Sequence, residues 1–402
     1  MSNTQTKNVP ELRFPGFEGE YSLDIFGNLA TNKSEKFNPQ NENASIDIEL
    51  DCIEQNTGRL IKIYNSKEFS SQKNKFNPQN VLYGKLRPYL NKYYFTKKSG
   101  VCSSEIWVLK STKEDKLLNL FLYYFIQTKR YSDVASKSAG SKMPRADWGL
   151  IENIRVYFPE LCEQQKIGQF FSKLDRQIEL EEQKLELLQQ QKKGYMQKIF
   201  SQELRFKDEN GNDYPDWEEK QLGELSQIVR GASPRPIKDP KWFNKESDIG
   251  WLRISDVTNQ NGKIYHLEQK LSIEGQEKTR VLVTTHLLLS IAASIGKPVM
   301  NFVKTGVHDG FLIFLNPKFN LFFMYYWLEY FKDKWSKYGQ PGSQVNLNTE
   351  IVKSQTLNMP SNHEQEKVGQ FFNRNEKLIE LQQEKIMYLK RRKQVLLQKM
   401  FI

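Results

Sequence analysis

The sequence predicts an α+β protein. Two similar strand-rich domains are expected, separated by two long antiparallel helices that form a coiled coil, with the whole chain a pseudo-twofold internal repeat. Three observations predict this. Residues 163–200 (EQQKIGQFFSKLDRQIELEEQKLELLQQQKKGYMQKIF) return as residues 364–401 (EQEKVGQFFNRNEKLIELQQEKIMYLKRRKQVLLQKMF), identical at 16 of 38 aligned positions and 201 residues apart in a chain of 402. A repeat of that length outranks any local motif. Both copies place apolar residues at alternating steps of four and three, the 3.5-residue period that makes helices supercoil. The stretch ahead of each copy runs through the same order of strands, a helix and a glycine-serine loop.

The first seam runs Ile167, Phe171, Leu174, Ile178, Leu185, Leu188, Tyr195 and Ile199, and the second Val368, Phe372, Ile379, Ile386, Leu389, Leu396 and Met400. Polar residues interrupt both at matching places, Glu181/Gln382 and Lys192/Lys393. Polar seam residues weaken a coil but select its partner and register. An antiparallel pairing sets Lys192 opposite Asn375, and Lys393 opposite Leu174 with Asp175 beside it. The chain thus divides into a domain at 1–162, a central helix at 163–200, a second domain at 201–363 and a C-terminal helix at 364–402. Pro159 and Pro360 precede the helices, with Glu163 and Glu364 in their first turns.

Within the first domain, Ile46–Leu50 and Leu60–Tyr64 alternate with period two. Val81–Tyr83, Tyr93–Phe95 and Ile106–Leu109 are further strands, and Leu117–Tyr131 reads as one amphipathic helix. In the second domain Ile254, Val257 and Ile264 mark early strands. Leu287–Ile291, Pro298–Met300 and Gly310–Leu315 follow, then a helix at Leu321–Trp335, with Asn119-Leu120-Phe121 aligned to Asn320-Leu321-Phe322. Asn210-Gly211-Asn212-Asp213 is a turn. Glu11-Leu12-Arg13-Phe14 is echoed by Glu203-Leu204-Arg205-Phe206, so the repeat reaches the entry of each half.

No apolar run is long enough to span a bilayer, and no charged-then-apolar leader opens the chain. Cys52, Cys102 and Cys162 are scattered, without a CxxC pair. This points to a reduced, cytoplasmic setting and three buried thiols, with no zinc site. The net charge of +11 suits a polyanionic partner. No acid lies between Glu68 and Glu105, a stretch holding Lys73, Lys75, Lys85, Arg87, Lys92, Lys97 and Lys98. None lies between Glu277 and Asp309, where Lys278, Arg280, Lys297 and Lys304 fall. Such windows are either phosphate-tracking surfaces or strand edges that lysines guard against aggregation.

Catalytic signatures are absent. The sequence has no Asn/Asp-Pro-Pro-aromatic motif, no GxGxxG after a strand and no complete phosphate loop at Ile295-Gly296-Lys297-Pro298. Pro215-Asp216 with Glu218-Glu219-Lys220 is spaced too tightly for a nuclease carboxylate set. His266, His286, His308 and His363 are isolated. The reading is a binding protein, and no catalytic or metal-ligating residue is expected.

Pro159, Glu163, Gln164, Lys166, Ile167, Gly168 and Phe170 recur as Pro360, Glu364, Gln365, Lys367, Val368, Gly369 and Phe371. Each set closes a strand-rich domain of about 160 residues. This duplicated pattern resembles the specificity (S) subunit of type I restriction–modification systems over essentially the whole chain. The resemblance implies a non-catalytic subunit whose two target recognition domains, 1–162 and 201–363, each read half of an asymmetric split site in double-stranded DNA. The helices would set the spacer and dock two methyltransferase (M) subunits. S-adenosylmethionine would belong to the M subunits, which methylate adenine at N6. ATP and Mg would belong to two restriction (R) subunits. A recognition subunit of another multi-subunit restriction system and a coiled-coil scaffold are the alternatives. For DNA contact, loop residues that pair with guanine, adenine or phosphate are expected. They are Lys85, Arg87, Tyr89, Lys92, Ser141, Lys142 and Arg145 in the first domain. In the second they are Arg230, Ser233, Arg235, Lys238, Ser294, Lys297, Ser343 and Gln344. The run Lys390-Arg391-Arg392-Lys393 reads as a solvated helix face.

Overall fold

The structure is a computed structural model that describes residues 8–44, 46–68, 71–137, 142–291, 295–338 and 347–402. Its contacts group the chain into two compact units: Met1–Gln183 together with Gln383–Ile402, and Lys184–Gln382. Each unit therefore takes half of each long helix.

Unit 1 contains β1 (Ser22–Ile25), α1 (Phe26–Leu29), β2 (Ala30–Thr31), β3 (Lys36–Phe37), β4 (Asp47–Ile48), β5 (Lys73–Phe76), β6 (Val81–Gly84), β7 (Tyr93–Phe95), β8 (Gly100–Cys102) and β9 (Ile106–Ser111). It continues through α2 (Asn119–Phe125), α3 (Lys129–Ala135), α4 (Trp148–Ile151) and β10 (Arg155–Phe158), and into α5 (Leu161–Phe200). The strands form a β1-β10 pair and two sheets, β2-β9-β6-β7 and β3-β5-β8-β4. Unit 2 contains β11 (Glu218–Gln221), α6 (Leu222–Leu225), β12 (Gln227–Arg230), β13 (Gly250–Leu252), α7 (Ile254–Asn259), β14 (Lys263–Ile264), α8 (Ile273–Glu277), β15 (Arg280–Leu282), β16 (Leu287–Ser290), β17 (Pro298–Asn301), β18 (Thr305–Val307) and β19 (Phe311–Leu315). Then come α9 (Leu321–Phe331), α10 (Thr349–Lys353), β20 (Thr356–Met359) and α11 (Asn362–Met400).

The repeat seen in sequence is a repeat of topology. The pair β11-β20 matches β1-β10, and the order β12-β19-β16-β17 matches β2-β9-β6-β7, with β14 added at the edge. In the other sheet of unit 1 β4 runs parallel to β8, which is antiparallel to β5. Likewise β13 runs parallel to β18, which is antiparallel to β15. The central strands β6, β9, β16 and β19 are buried almost throughout, which explains their continuous apolar runs.

The two long helices run antiparallel within each unit. In unit 1 Phe171 meets Phe401 and Asp175 meets Lys393, whereas Glu181 meets Lys385, so partner numbers fall as α5 advances. In unit 2 Lys192 meets Glu376 and Phe200 stacks on Phe372. Ile167, Phe171, Leu174 and Ile178 bury with Leu389, Leu397 and Met400 in the core of unit 1, while Met196, Ile199, Val368 and Phe372 join the core of unit 2. Ile379 and Ile386 are also buried, and Leu185 and Leu188 are half-buried. The expected Tyr195 is exposed and its neighbour Met196 is buried instead, whereas Leu396 is half-buried against the core of unit 1 beside the more deeply buried Leu397.

The shared motif residues are latches. Arg13 donates through Nη2 and Nε to the two carboxylate oxygens of the buried Glu163 at 2.7 and 2.9 Å, and Arg205 holds Glu364 in the same way at 2.9 and 3.3 Å. The Gln164 side-chain oxygen accepts from the Leu118 amide, and that of Gln365 from the Asn320 amide, both at 2.9 Å. Leu118 is thus the counterpart of Asn320, one residue off the alignment expected from sequence. Gly168 lets α5 approach α2, since a Cβ there would lie 2.7 Å from Leu120.

Other expectations are corrected. Leu117–Tyr131 is two helices: Thr128 is extended (ψ 155°), caps α3 and turns its hydroxyl back to the Phe125 carbonyl at 2.7 Å. Beyond Phe331 the helix expected to Trp335 tightens into a 3-10 segment. Ile254 and Val257 lie on helix α7, which starts where Asp256 accepts from the Arg253 amide at 2.9 Å. Ile46–Leu50 yields only the two-residue β4, and Leu60 and Tyr64 make single bridges. Cys162 is exposed, unlike Cys52 and Cys102. Lys393 is buried, so the basic run on α11 is not wholly a solvated face.

Candidate nucleic-acid interface

In unit 1 the site forms where β6 ends and β9 begins. Gly84 pairs with Ile106 across that sheet end. The Lys85 amide donates to the Glu105 carbonyl at 3.0 Å, the Arg87 amide to the Pro144 carbonyl at 2.7 Å and the Ala146 amide to the Lys85 carbonyl at 2.8 Å. These bonds lay the loop of Arg145 beside the loop of Lys85 and Arg87. Arg145 then grips Glu105 with two hydrogen bonds, Nε at 3.0 Å and Nη2 at 3.1 Å. That guanidinium holds the Glu105 carboxyl below the usual carboxylate range. Arg87 is exposed and sits in the left-handed region at φ 52°, before a 3-10 turn at Pro88–Leu90 that carries the exposed Tyr89. A bulky residue held there marks a loop whose shape the surroundings impose.

In unit 2 the equivalent sheet end, where Ser290 pairs with Phe311, brings Arg230 and Arg235 onto Asp309, with Arg280 bonded to Arg230. Ser233 Oγ donates to Asp309 Oδ1 at 2.8 Å, and Arg235 Nη2 donates to Oδ2 at 2.7 Å. Arg230 Nε donates to the Asp309 carbonyl at 2.6 Å, and Arg280 Nε to the Arg230 carbonyl at 2.8 Å. Burial pushes the Asp309 carboxyl up, but Ser233, His308 and Arg235 outweigh it and leave it below the ordinary range. Burial also pushes the His308 imidazole down. Its Nδ1 accepts from the Gly310 amide at 2.8 Å, which suits the neutral ring.

The expected residues divide accordingly. Lys85, Arg87, Tyr89 and Arg145 come together in unit 1, with Lys142 exposed three residues before Arg145. Lys92 turns away, its Nζ held by the Leu50 carbonyl at 2.5 Å. Arg230, Ser233 and Arg235 come together in unit 2, with Lys238 exposed just beyond. Lys297 is half-buried, its Nζ 3.3 Å from Asn261 Oδ1, and burial pushes its pKa down. Ser141, Ser294, Ser343 and Gln344 lie outside the described residues. Sequence reasoning missed Glu105, Asp309, His308 and the role of Arg280. A signal was present, because Glu105 and Asp309 are the acids that close the two acid-free windows.

The model of the type I restriction modification DNA specificity domain matches residues 22–190 and again 214–391, once for each half of the repeat. The chain belongs to this family. A type I restriction enzyme specificity subunit, MjaVIII of Methanocaldococcus jannaschii, is 26% identical over 315 residues, covering 71% of this chain and 70% of the relative. A putative one from the same organism, MjaX, is 23% identical over 281 residues, covering 68% and 64%. Among solved structures, a type I restriction–modification S subunit from M. genitalium superposes with TM-score 0.59 at 14% identity, covering 98% of this chain and 99% of its own. A chain from work on complex assembly and conformational transition of the type I system gives TM-score 0.61 at 18% identity, covering 94% and 97%. The fold is shared with both. This specificity subunit is a DNA-recognition protein, and no described helix is long and apolar enough to cross a membrane.

Proposed function

We propose that each unit reads one half of a split, asymmetric site in duplex DNA, and that the chain delivers partner enzymes to that site. What carries this reading is one strand order built twice, with unlike side chains at the equivalent sheet end: Lys85, Arg87 and Arg145 in one unit, Arg230, Ser233 and Arg235 in the other. Unlike readers on a shared frame select unlike half-sites.

Two M subunits carrying S-adenosylmethionine dock along α5 and α11 and methylate adenine at N6; two R subunits add ATP- and Mg-dependent cleavage. The chemistry resides in these partners, and the assembly works in the cytoplasm. Support for docking comes from apolar side chains left exposed on the long helices. They are Leu180, Met387, Tyr388 and Val395 in unit 1, and Leu187, Leu378 and Leu381 in unit 2, each between 41 and 63% exposed. Exposed apolar clusters of this kind favour a protein partner.

Methylome sequencing of cells carrying this chain with its M subunit tests the proposal. The expected result is a single split motif with different halves; a palindromic or continuous motif counts against it. Duplex binding should also weaken steeply as salt rises, because phosphate contacts release counterions.

A further inference from the structure

We infer that Arg145 and Arg235 each read a guanine, one in each half-site, and that Glu105 and Asp309 aim them. This rests on the DNA reading proposed above and names the side chains that select bases.

The carboxylates stand at matching sheet ends, one residue apart in the strand register. Glu105 immediately precedes β9, and Asp309 stands two residues before β19, at matching ends of matching sheets. The arginines do not share a position in the chain. Arg145 comes after the helices α2 and α3, whereas Arg235 comes from the loop after β12. Two different segments have therefore delivered a guanidinium to a carboxylate at the same sheet end. Arg145 and Arg235 have side chains 52% and 70% exposed, while their acids are 28% and 27% exposed. Each charge pair thus has a half-sunken carboxylate with a guanidinium standing outward.

Stability does not account for this arrangement, since exposed ion pairs contribute only about 0–1 kcal/mol. Nor does phosphate binding, because a carboxylate on a DNA-facing surface repels phosphate. An acid at the close of a window otherwise free of acids is explained if it orients a cation. Arginine presents a planar fork that matches the O6 and N7 acceptors of guanine, and a carboxylate on one edge confines that fork to one plane. Lys85 and Arg87 beside Arg145, and Arg230 and Arg280 beside Arg235, supply the positive surroundings that hold the backbone phosphates.

The test uses the full chain purified with its co-expressed M subunits and a randomised duplex DNA library, with the bound duplexes sequenced. In the wild type, each half-site should contain an obligatory G·C pair. Arg145→Ala, and equally Arg145→Lys, should lose that pair in one half-site and weaken binding to the wild-type site by on the order of 10- to 100-fold. Arg235→Ala and Arg235→Lys should do so in the other. Glu105→Gln and Asp309→Asn should relax the same positions more weakly. The untouched half-site reports that the variant is folded. If the wild type selects a split motif that every variant retains, the inference is overturned and the DNA-reading function stands. If the wild type selects no split motif, both are overturned.

Discussion

Lys393 Nζ lies 2.7 Å from Asp175 Oδ1, on opposite long helices within unit 1. The lysine also donates to Gln127 Oε1 at 2.9 Å, and Asp175 accepts from the Tyr124 hydroxyl at 3.0 Å. Unit 2 repeats the arrangement with the helices exchanged. There Lys192 of α5 lies 3.5 Å from Glu376 of α11, which accepts from the Tyr326 hydroxyl at 2.6 Å. The seam-breaking lysines expected from sequence are thus satisfied by carboxylates. Lys393 finds Asp175 as the antiparallel register requires, and Lys192 finds the residue next to the expected Asn375. An unpaired buried ammonium is costly, so a slipped register is disfavoured.

Asp175→Ala is expected to destabilise unit 1 by about 3 kcal/mol, because it strands a buried cation. Replacing the pair together, Asp175→Leu with Lys393→Met, should recover most of that loss. Thermal unfolding of the single and double variants gives the coupling, and additive losses would show that the pair does not act as one.

Glu376 carries a pH dependence. Burial pushes its carboxyl up, but Lys192 and Lys263, the latter 2.7 Å away, together with Tyr326 hold it below the ordinary value of 4.5. A carboxyl lowered on folding stabilises the protein above its unfolded pKa and loses that contribution as pH falls through the folded value. Thermal stability should therefore drop as pH is taken below about 4.5. Glu376→Gln should be less stable at neutral pH and show a shallower acid decline. A parallel decline in variant and wild type would remove Glu376 as the cause.

Gly231 tests how tightly the arginine loop of unit 2 is held. A Cβ there would lie 2.2 Å from the His308 carbonyl oxygen and 2.7 Å from that of Val307, both backbone. Gly231→Ala must displace the loop that carries Ser233 and Arg235, at a cost of about 1–3 kcal/mol. Selection from a duplex library should show one blurred half-site and one intact. Two intact half-sites would mean that the loop position is not read.

Lengthening both long helices by one heptad keeps the seam in phase and adds about 10 Å. The methylated motif should keep both half-sites and gain about three base pairs of spacer at about 3.4 Å each. Mapping the motif in cells decides the matter, and an unchanged spacer would deny the helices their role as a ruler.

Much of the fold was legible because its signals are local and periodic. The 3.5-residue seam and the central strands each leave a pattern within a few turns of chain, and the duplication returns that pattern 201 residues on, whereas the latches of Arg13 on Glu163 and Arg205 on Glu364 appear only in the folded chain. Boundaries were less legible where a side chain overrides periodicity, as Thr128 does in dividing α2 from α3. The candidate site was legible in part. Arg145 and Arg235 were expected from residue type alone, whereas Lys92 and Lys297 had the right type but are tied to Leu50 and Asn261.

By itself the sequence determined that this protein is one unit made twice, with two helices of matched seam and no catalytic signature. Only the tertiary structure decided which acids answer which bases. Glu105 meets Arg145 across 40 residues, Asp309 meets Arg235 across 74, and Lys192 meets Glu376 rather than Asn375. Periodicity is a property of neighbouring residues and is written along the chain. A charge pair depends on where separate loops and helices come to rest, which packing settles.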